Sequence, residues 1–182
     1  MSSIGGQRLA SGAVLLRVPD PADAVDLAEQ WADPLSQRWA AAPVPGPAAA
    51  RSHLARMRLG WEQPDGPRSW VIEHLDAEAG TYAGYLTLSP RSHRTAEVDY
   101  GLHPRARGAH VMTTALRLAC TWWFDSGGER VTWWAEAGNL ESWRVARSCG
   151  FAAGDTTRFY LPQGPVDGRR AVLTPADMTR AA

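Results

Sequence analysis

The stretch AEVDYGLHPRARGAHVMTTALRL (residues 96–118) passes from a strand-like segment through a basic loop into a helical segment. Apolar residues alternate over 95–102, which predicts a strand, and lie on one helical face over 111–123. The loop between them carries Arg105, Arg107 and Gly108. A helix N-terminus offers unpaired N–H groups and a positive dipole end, and glycine lets a ligand approach the backbone. The junction therefore predicts a pyrophosphate site, the alternative being a solvated surface turn.

Composition limits the kinds of partner that this chain can bind. The 182 residues carry no net charge and are 45% hydrophobic, which predicts one globular domain and argues against nucleic acid as a partner. All 19 basic residues are arginine, so a phosphate-loop lysine and a Schiff-base lysine are excluded. No apolar run reaches the roughly 20 residues of a membrane span. Cys120 and Cys149 lie in apolar segments, which predicts reduced, buried thiols and a cytoplasmic protein.

Hydrophobic periodicity divides the chain into eleven expected elements in the order β-α-α-β-β-β-α-β-α-β-β. Residues 1–12 are expected to be a flexible lead, 13–175 a single domain and 176–182 a tail. A proline-rich connector, AAPVPGP (41–47), separates the first two helices, and short links favour antiparallel hairpins between 69 and 102.

Two motifs in the second half of the chain carry a family resemblance. RARGAH (105–110) is similar to a [QR]-x-x-G-x-[GA] loop, and NLESWRVARSCGF (139–151) is similar to an N-x-x-S segment that ends in Gly-Phe. With the strand AEVDYGL before them, they resemble the GNAT superfamily of acyl-CoA-dependent N-acyltransferases, in particular its RimJ/RimL-like branch. The resemblance implies an α+β fold: a mixed, mostly antiparallel sheet of about six or seven strands with about four helices. The strands at 95–102 and 130–136 should splay apart to admit acyl-CoA.

The resemblance also implies where acetyl-CoA, the expected cosubstrate, would bind. The pantetheine arm should pair with backbone near Leu102 and His103, and the pyrophosphate should lie on the loop and the first helical turn. Asn139 is expected to contact the pantetheine, and Ser142 to lie near the sulfur; helix capping is the alternative role of Asn139. The expected loop ligands are Arg105, Arg107, Gly108, Ala109, His110, Val111 and Met112. His110 departs from the family pattern, because a small residue usually occupies its position.

Amide formation needs a base for the protonated amine and an acid for the leaving thiolate. Strand alternation places Glu97 and Asp99 on one face, about 7 Å apart. The resemblance favours Glu97 as the base, with Asp99 as the second candidate; ordinary ion pairs with Arg91 or Arg94 are the alternative role of these carboxylates. Ala146 stands where many relatives carry a tyrosine acid, so either Ser142 or solvent supplies the proton or no acid is needed.

The sequence thus predicts an acetyl-CoA-dependent N-acetyltransferase that acts on a primary amine, either a peptide N-terminus or a small molecule, by direct attack in a ternary complex. The alternative is a catalytically weak GNAT fold that serves as an acyl-CoA-binding or regulatory module. The five histidines lack ligand spacing, so no metal site is expected. No membrane partner is expected, and the protein should be a monomer or a homodimer.

Overall fold

The computed structural model describes residues 8–39, 46–75, 80–161 and 164–180. Its eight strands are β1 Leu9–Ser11, β2 Val14–Arg17, β3 Arg68–His74, β4 Thr81–Ser92, β5 Thr95–Leu102, β6 Arg130–Glu136, β7 Ala152–Leu161 and β8 Gly164–Leu173. Its α-helices are α1 Ala24–Ala32, α2 Pro34–Trp39, α3 Gly46–Gly60, α4 Val111–Asp125, α5 Leu140–Ser148 and α6 Pro175–Arg180. Short 3₁₀ turns cover Pro21–Asp23 and Pro104–Ala106.

The strands form one sheet in the order β1-β2-β3-β4-β5-β6-β8-β7. Neighbouring strands are antiparallel except β5 and β6, which are parallel and paired from Thr95–Arg130 to Glu97–Thr132. Beyond these pairs β5 continues to Leu102 and β6 to Glu136 without pairing to each other. The expected splay is therefore confirmed, and it leaves an opening in the middle of the sheet.

Each face of the sheet packs against its own helices. Ala96 and Val98 of β5 point into a core that includes α4, and β5 alternation sends Glu97 and Asp99 to the opposite face. That opposite face packs against α1 and α3, with a smaller core of Ala24, Leu27, Ala50, Leu54, Met57, Val71 and Tyr82. The two candidate bases therefore lie on the α1/α3 face, as the alternation predicts.

The structure confirms the α+β class and corrects several boundaries. Leu9–Ser11, which fall within the expected lead, form a strand whose backbone pairs with β2 through a turn at Gly12. The expected tail at 176–182 is helical up to Arg180, with Asp177 accepting hydrogen bonds from Thr174 at the start of the helix. The described residues form eight strands and six α-helices, more than expected. The additional elements, β1, α2 and α6, are too short to give a recognisable hydrophobic periodicity in the sequence.

Two expected connectors, 41–47 and 76–80, fall mostly outside the described residues. In the described part of the chain, no helix is long and apolar enough to cross a membrane.

Candidate active site

Three side chains from different elements meet beside the opening between β5 and β6. Trp133 on β6 donates its indole N–H to the Ser142 Oγ on α5 at 3.2 Å. Ser142 Oγ donates to the Tyr100 hydroxyl on β5 at 3.0 Å, and Tyr100 donates to the Ser142 carbonyl at 2.9 Å. Burial raises the pKa of Tyr100 well above its usual range, so its hydroxyl is protonated at neutral pH. A hydroxyl pair thus lies at the place where the two strands part.

Tyr100 is a candidate that the sequence reasoning missed. Ala146, at the position of the family's tyrosine, is fully buried and carries no group that could donate a proton. Strand alternation places Tyr100 on the core face of β5 and gives no indication that its hydroxyl contacts Ser142, 42 positions away in the sequence. One sequence signal could have found it: Tyr100 is a tyrosine on an otherwise apolar strand face. A buried tyrosine hydroxyl needs a hydrogen-bond partner, so such a position indicates a polar contact in the core.

Asn139 is at the N-cap of α5, where its Oδ1 accepts a hydrogen bond from the Ser142 N–H at 3.2 Å. The capping role is thus observed. A pantetheine contact by Asn139 stays a prediction, since the side-chain N–H₂ group is free to act while the oxygen caps the helix.

The basic loop has the backbone geometry of an anion cradle. Gly108 has φ +82°, and His110, at the N-cap of α4, has φ +56° with no side-chain hydrogen bond to the helix. The first bond of the helix runs from the Thr114 N–H to the His110 carbonyl at 3.1 Å, so the N–H groups of residues 111–113 have no intrahelical acceptor. The left-handed conformation at His110 explains why a glycine suits this position in relatives.

Both loop arginines are already paired with carboxylates of the α1–α2 region. Arg105 bonds Asp26, whereas Arg107 bonds Asp33 at 2.5 Å and the Ser36 hydroxyl at 3.2 Å. The hydrogen bond from Arg107 lowers the pKa of Asp33 to about 2. The structure therefore assigns the guanidinium groups to fixing the loop against these helices, and direct phosphate contact by them stays a prediction.

The remaining residues expected to bind acetyl-CoA differ in which backbone or side-chain groups are accessible to a ligand. The His103 N–H donates to the Ala83 carbonyl at 2.8 Å, so this amide faces β4. Adjacent strand residues direct their backbone groups to opposite sides, and Leu102 therefore faces the opening. The side chains of Val111 and Met112 are buried in the core, which leaves only their backbone N–H groups for a ligand. Ala109 is exposed beside them.

The two carboxylates on β5 have different surroundings. Glu97 is half-buried and accepts a hydrogen bond from Arg91 at 2.5 Å, the ion pair that was the alternative to catalysis. Part of Asp99 is accessible to solvent, but its carboxyl lies among neighbouring protein atoms, and it forms no ion pair with any described residue. Desolvation by the surrounding protein, with a smaller contribution from Glu97, raises the pKa of Asp99. Of the two candidates, the surroundings of Asp99 fit a base better.

The cysteines lie in the core, as expected. Cys120 and Cys149 are fully buried, and the Cys149 thiol donates to the Thr113 carbonyl at 3.4 Å. Burial raises the pKa of Cys149 to about 11. Neither thiol is a reactive group at neutral pH. Among the described residues, no three His, Cys, Asp or Glu side chains are placed to bind one metal ion.

β5 and β6 are a parallel pair that splays, and the basic loop after β5 leads into the α4 N-terminus, which has no side-chain cap; this matches the expected acyl-CoA architecture. The sequence profile of the acetyltransferase (GNAT) domain matches residues 13–152. The chain belongs to the GNAT acetyltransferase family. No protein of curated function matches this GNAT chain by sequence.

Solved structures of other GNAT proteins superpose on most of the chain. RimL, a ribosomal L7/L12 α-N-protein acetyltransferase solved with coenzyme A, is 18% identical, with a TM-score of 0.80 over 92% of this chain and 98% of its own. A putative ribosomal-protein-serine acetyltransferase from Vibrio cholerae is 17% identical, with 0.78 over 94% and 99%. The microcin C7 self-immunity acetyltransferase MccE, solved with acetyl-CoA and AMP, is 18% identical, with 0.79 over 90% and 93%. At these identities the likeness shows the fold.

Proposed function

We propose that this GNAT protein is an acetyl-CoA-dependent N-acetyltransferase that transfers the acetyl group to a primary amine by direct attack in a ternary complex. The observation that carries the proposal is the opening between β5 and β6. The backbone N–H groups of the α4 N-terminus lie beyond one end of this opening. The Ser142 and Tyr100 hydroxyls lie on the α4 face of the sheet beside it, and the Asp99 carboxyl lies on the α1/α3 face.

Residues around the opening fit the parts of acetyl-CoA, which would supply the acetyl group as a thioester. The N–H groups of 108–113 would hold the pyrophosphate, because an uncapped helix N-terminus with a glycine before it favours anions. Leu102 and Asn139 would hold the pantetheine arm through backbone and amide groups. RimL was solved with coenzyme A and MccE with acetyl-CoA, which supports acetyl-CoA as the ligand of this fold.

Asp99 would act as the base that deprotonates the acceptor ammonium. The nitrogen then forms a bond to the acetyl carbon while the bond from that carbon to sulfur breaks, and the nitrogen releases its second proton to solvent, from which the hydroxyl that protonates the sulfur is restored. The pKa of Asp99 is raised, so its ionised form is lost at a higher pH than for an ordinary aspartate. Activity should therefore fall on the acid side as Asp99 becomes protonated. Glu97, engaged with Arg91, would contribute negative charge beside the base.

Ser142 and Tyr100 would supply the proton that the leaving sulfur takes up. The Ser142 Oγ hydrogen, which the Tyr100 hydroxyl accepts in the free protein, can rotate toward the opening while Oγ still accepts from Trp133 and Tyr100 still donates to the Ser142 carbonyl. The high pKa of Tyr100 keeps the pair protonated before the reaction. This arrangement replaces the tyrosine that Ala146 cannot provide.

The test is release of coenzyme A from acetyl-CoA in the presence of a panel of primary amines and peptide N-termini. Wild type is compared with Asp99→Asn and with Glu97→Gln. We expect Asp99→Asn to lower kcat by about 10² to 10⁴-fold, the usual contribution of a general base, and Glu97→Gln to have a smaller effect. Equal activity of Asp99→Asn and wild type would remove Asp99 from this role.

A binding module is the second candidate, favoured by the strained His110 and by the pairing of both loop arginines. Acetyl-CoA at 100 times its Kd should stabilise the fold by about 2.7 kcal/mol in either case. Stabilisation without coenzyme A release from any amine would favour the module.

Buried, unreactive thiols fit a cytoplasmic location, and neither nucleic acid nor a membrane is proposed as a partner.

A further inference from the structure

The α1/α3 face of the opening carries an acidic and aromatic surface. In the β4–β5 register Thr87 is opposite Asp99 and Tyr85 is opposite Gly101, so these four residues share that face. Diagonal neighbours in such a pair lie about 7–8 Å apart, within reach of an aromatic side chain. The Tyr85 ring and the Asp99 carboxyl therefore border the same space.

Two more rings extend this surface from the helices. The His53 ring of α3 lies edge-on between Trp31 of α1, with centroids 5.1 Å apart, and Tyr85, with centroids 5.9 Å apart. The Trp31 indole also lies beside the Tyr85 hydroxyl. All three residues are only half-buried, so part of each side chain is accessible to solvent. We call Trp31, His53 and Tyr85 the aromatic wall.

Gly101 fixes the wall against the strand. A side chain at this position would come within 3.0 Å of the Tyr85 Cε1 and 2.5 Å of the Gln30 Nε2. The absence of a Cβ lets the Tyr85 ring lie directly on β5, two residues beyond Asp99. The negative charge of Asp99 also adds to the effect of burial in raising the pKa of Tyr85, in keeping with their proximity.

Asp99 supplies a negative charge on this surface, whereas Glu97 is paired with Arg91 and the Arg56 guanidinium lies 3.4 Å from the His53 Nδ1. No cation among the described residues forms an ion pair with Asp99, and Glu97 faces the same side beside it. Burial, with a smaller contribution from Arg56, lowers the pKa of His53, so the imidazole is neutral at pH 7. A carboxylate beside partly accessible aromatic rings attracts an ammonium group, through charge and through the ring quadrupoles.

We propose that Asp99 and the aromatic wall form the acceptor subsite, and that they select a primary ammonium with an aromatic or apolar group beside it and no carboxylate on the same carbon. The proposal rests on the proposed function for placing the acceptor on this face. An α-carboxylate would lie next to Asp99, which has no cationic partner among the described residues, and like charges that face each other oppose binding. An arylalkylamine and a peptide N-terminus with an aromatic first residue share the selected chemistry.

The first test measures binding without chemistry. Phenethyltrimethylammonium has the required cation and ring but no N–H, so it cannot be acetylated, and its Kd is measured by titration calorimetry. We expect Trp31→Leu and Asp99→Asn each to weaken binding by about tenfold, the order of one partly desolvated cation–π or ion contact. The matched control is Tyr160→Leu, an aromatic residue that is 82% exposed on β7, which should leave the Kd unchanged. Equal Kd values for Trp31→Leu and wild type would overturn the subsite.

The second test uses three acceptors that differ only at the α-carbon: phenethylamine, phenylalaninamide and phenylalanine. We expect kcat/KM for phenylalaninamide to exceed that for phenylalanine by about tenfold or more, because only the free amino acid brings a carboxylate. A higher value for phenethylamine indicates a small-amine acceptor, and a higher value for the amide indicates a peptide N-terminus. A preference for phenylalanine would contradict the subsite.

The two tests separate this inference from the proposed function. If the quaternary ammonium binds through Trp31 and Asp99 but no amine releases coenzyme A, the transferase activity fails and the subsite stands. If amines are acetylated with a KM that Trp31→Leu does not change, the subsite fails and the transferase activity stands.

Discussion

The ion pair between Arg107 and Asp33 ties the loop before α4 to the start of α2, and its removal has a predictable effect on stability. Asp33→Asn keeps an oxygen that can accept the Ser36 N–H, now at 2.9 Å, so the cap on α2 survives. The change removes the charge that pairs with Arg107 at 2.5 Å. We therefore expect a loss of stability that reports the ion pair alone.

The pKa of Asp33 sets the size of this loss. Its fall from 3.8 to about 2 corresponds to about 2.4 kcal/mol at most. The Asp33 side chain is 16% exposed and that of Arg107 is 35% exposed, so solvent screening reduces this to about 1 kcal/mol. For a chain of this length, such a loss lowers Tm by about 2–4 °C.

The assay is thermal unfolding at a series of pH values, with Asp155→Asn as a control at an exposed position on β7. Because the folded pKa of Asp33 is depressed, the stabilisation is complete above its unfolded value of 3.8 and is lost as pH falls through about 2. Asp33→Asn should melt below wild type at pH 7 and converge with it in acid. Equal Tm values at pH 7, or a gap that persists below pH 2, would refute the ion pair as its source.

Three further changes test the packing around the site. His110→Gly should raise the free energy of unfolding, measured by urea titration, by up to about 1 kcal/mol. Glycine relieves the left-handed conformation at φ +56°, and this gain exceeds the cost of the higher entropy of glycine in the unfolded chain. A lower urea midpoint for the variant would contradict this. Gly101→Ala should cost about 1–3 kcal/mol, because its Cβ would lie 2.5 Å from Gln30 and 3.0 Å from Tyr85; wild-type stability would show that the wall is not held as described. The Cys149 thiol, with a pKa of about 11, should react with a thiol reagent at pH 8 only on unfolding, and immediate reaction in the folded protein would contradict its burial.

The basic loop and its flanking elements could be predicted from the sequence because each has a local signal. Strand alternation placed Glu97 and Asp99 on one face, and helical periodicity located α4 to within two residues of its observed end. The family resemblance added the splay of β5 from β6, which no local pattern encodes. These features depend on residues that are close together in the chain.

The site's contacts could not be predicted, because they join residues that are far apart in sequence. The partners of Arg105 and Arg107 lie 79 and 74 positions away, so the sequence could show two arginines but not that Asp26 and Asp33 hold them. Tyr100 alternates with Ala96 and Val98 on the core face of β5, so the sequence does not show its contact with Ser142, 42 positions away. The preference for Glu97 over Asp99 came from the resemblance, whereas the structure adds the Arg91 ion pair that occupies Glu97.

The central claim is that acetyl-CoA lies in the opening between β5 and β6 with its pyrophosphate on the α4 N-terminus. Hydrogen exchange of backbone amides, with and without saturating acetyl-CoA, tests it most directly, because the N–H groups of 111–113 have no intrahelical acceptor in the free protein. We expect acetyl-CoA to slow exchange in peptides covering 98–102 and 107–113 and to leave α3, at 46–60, unchanged. Unaltered exchange at 107–113 while acetyl-CoA is bound would contradict it.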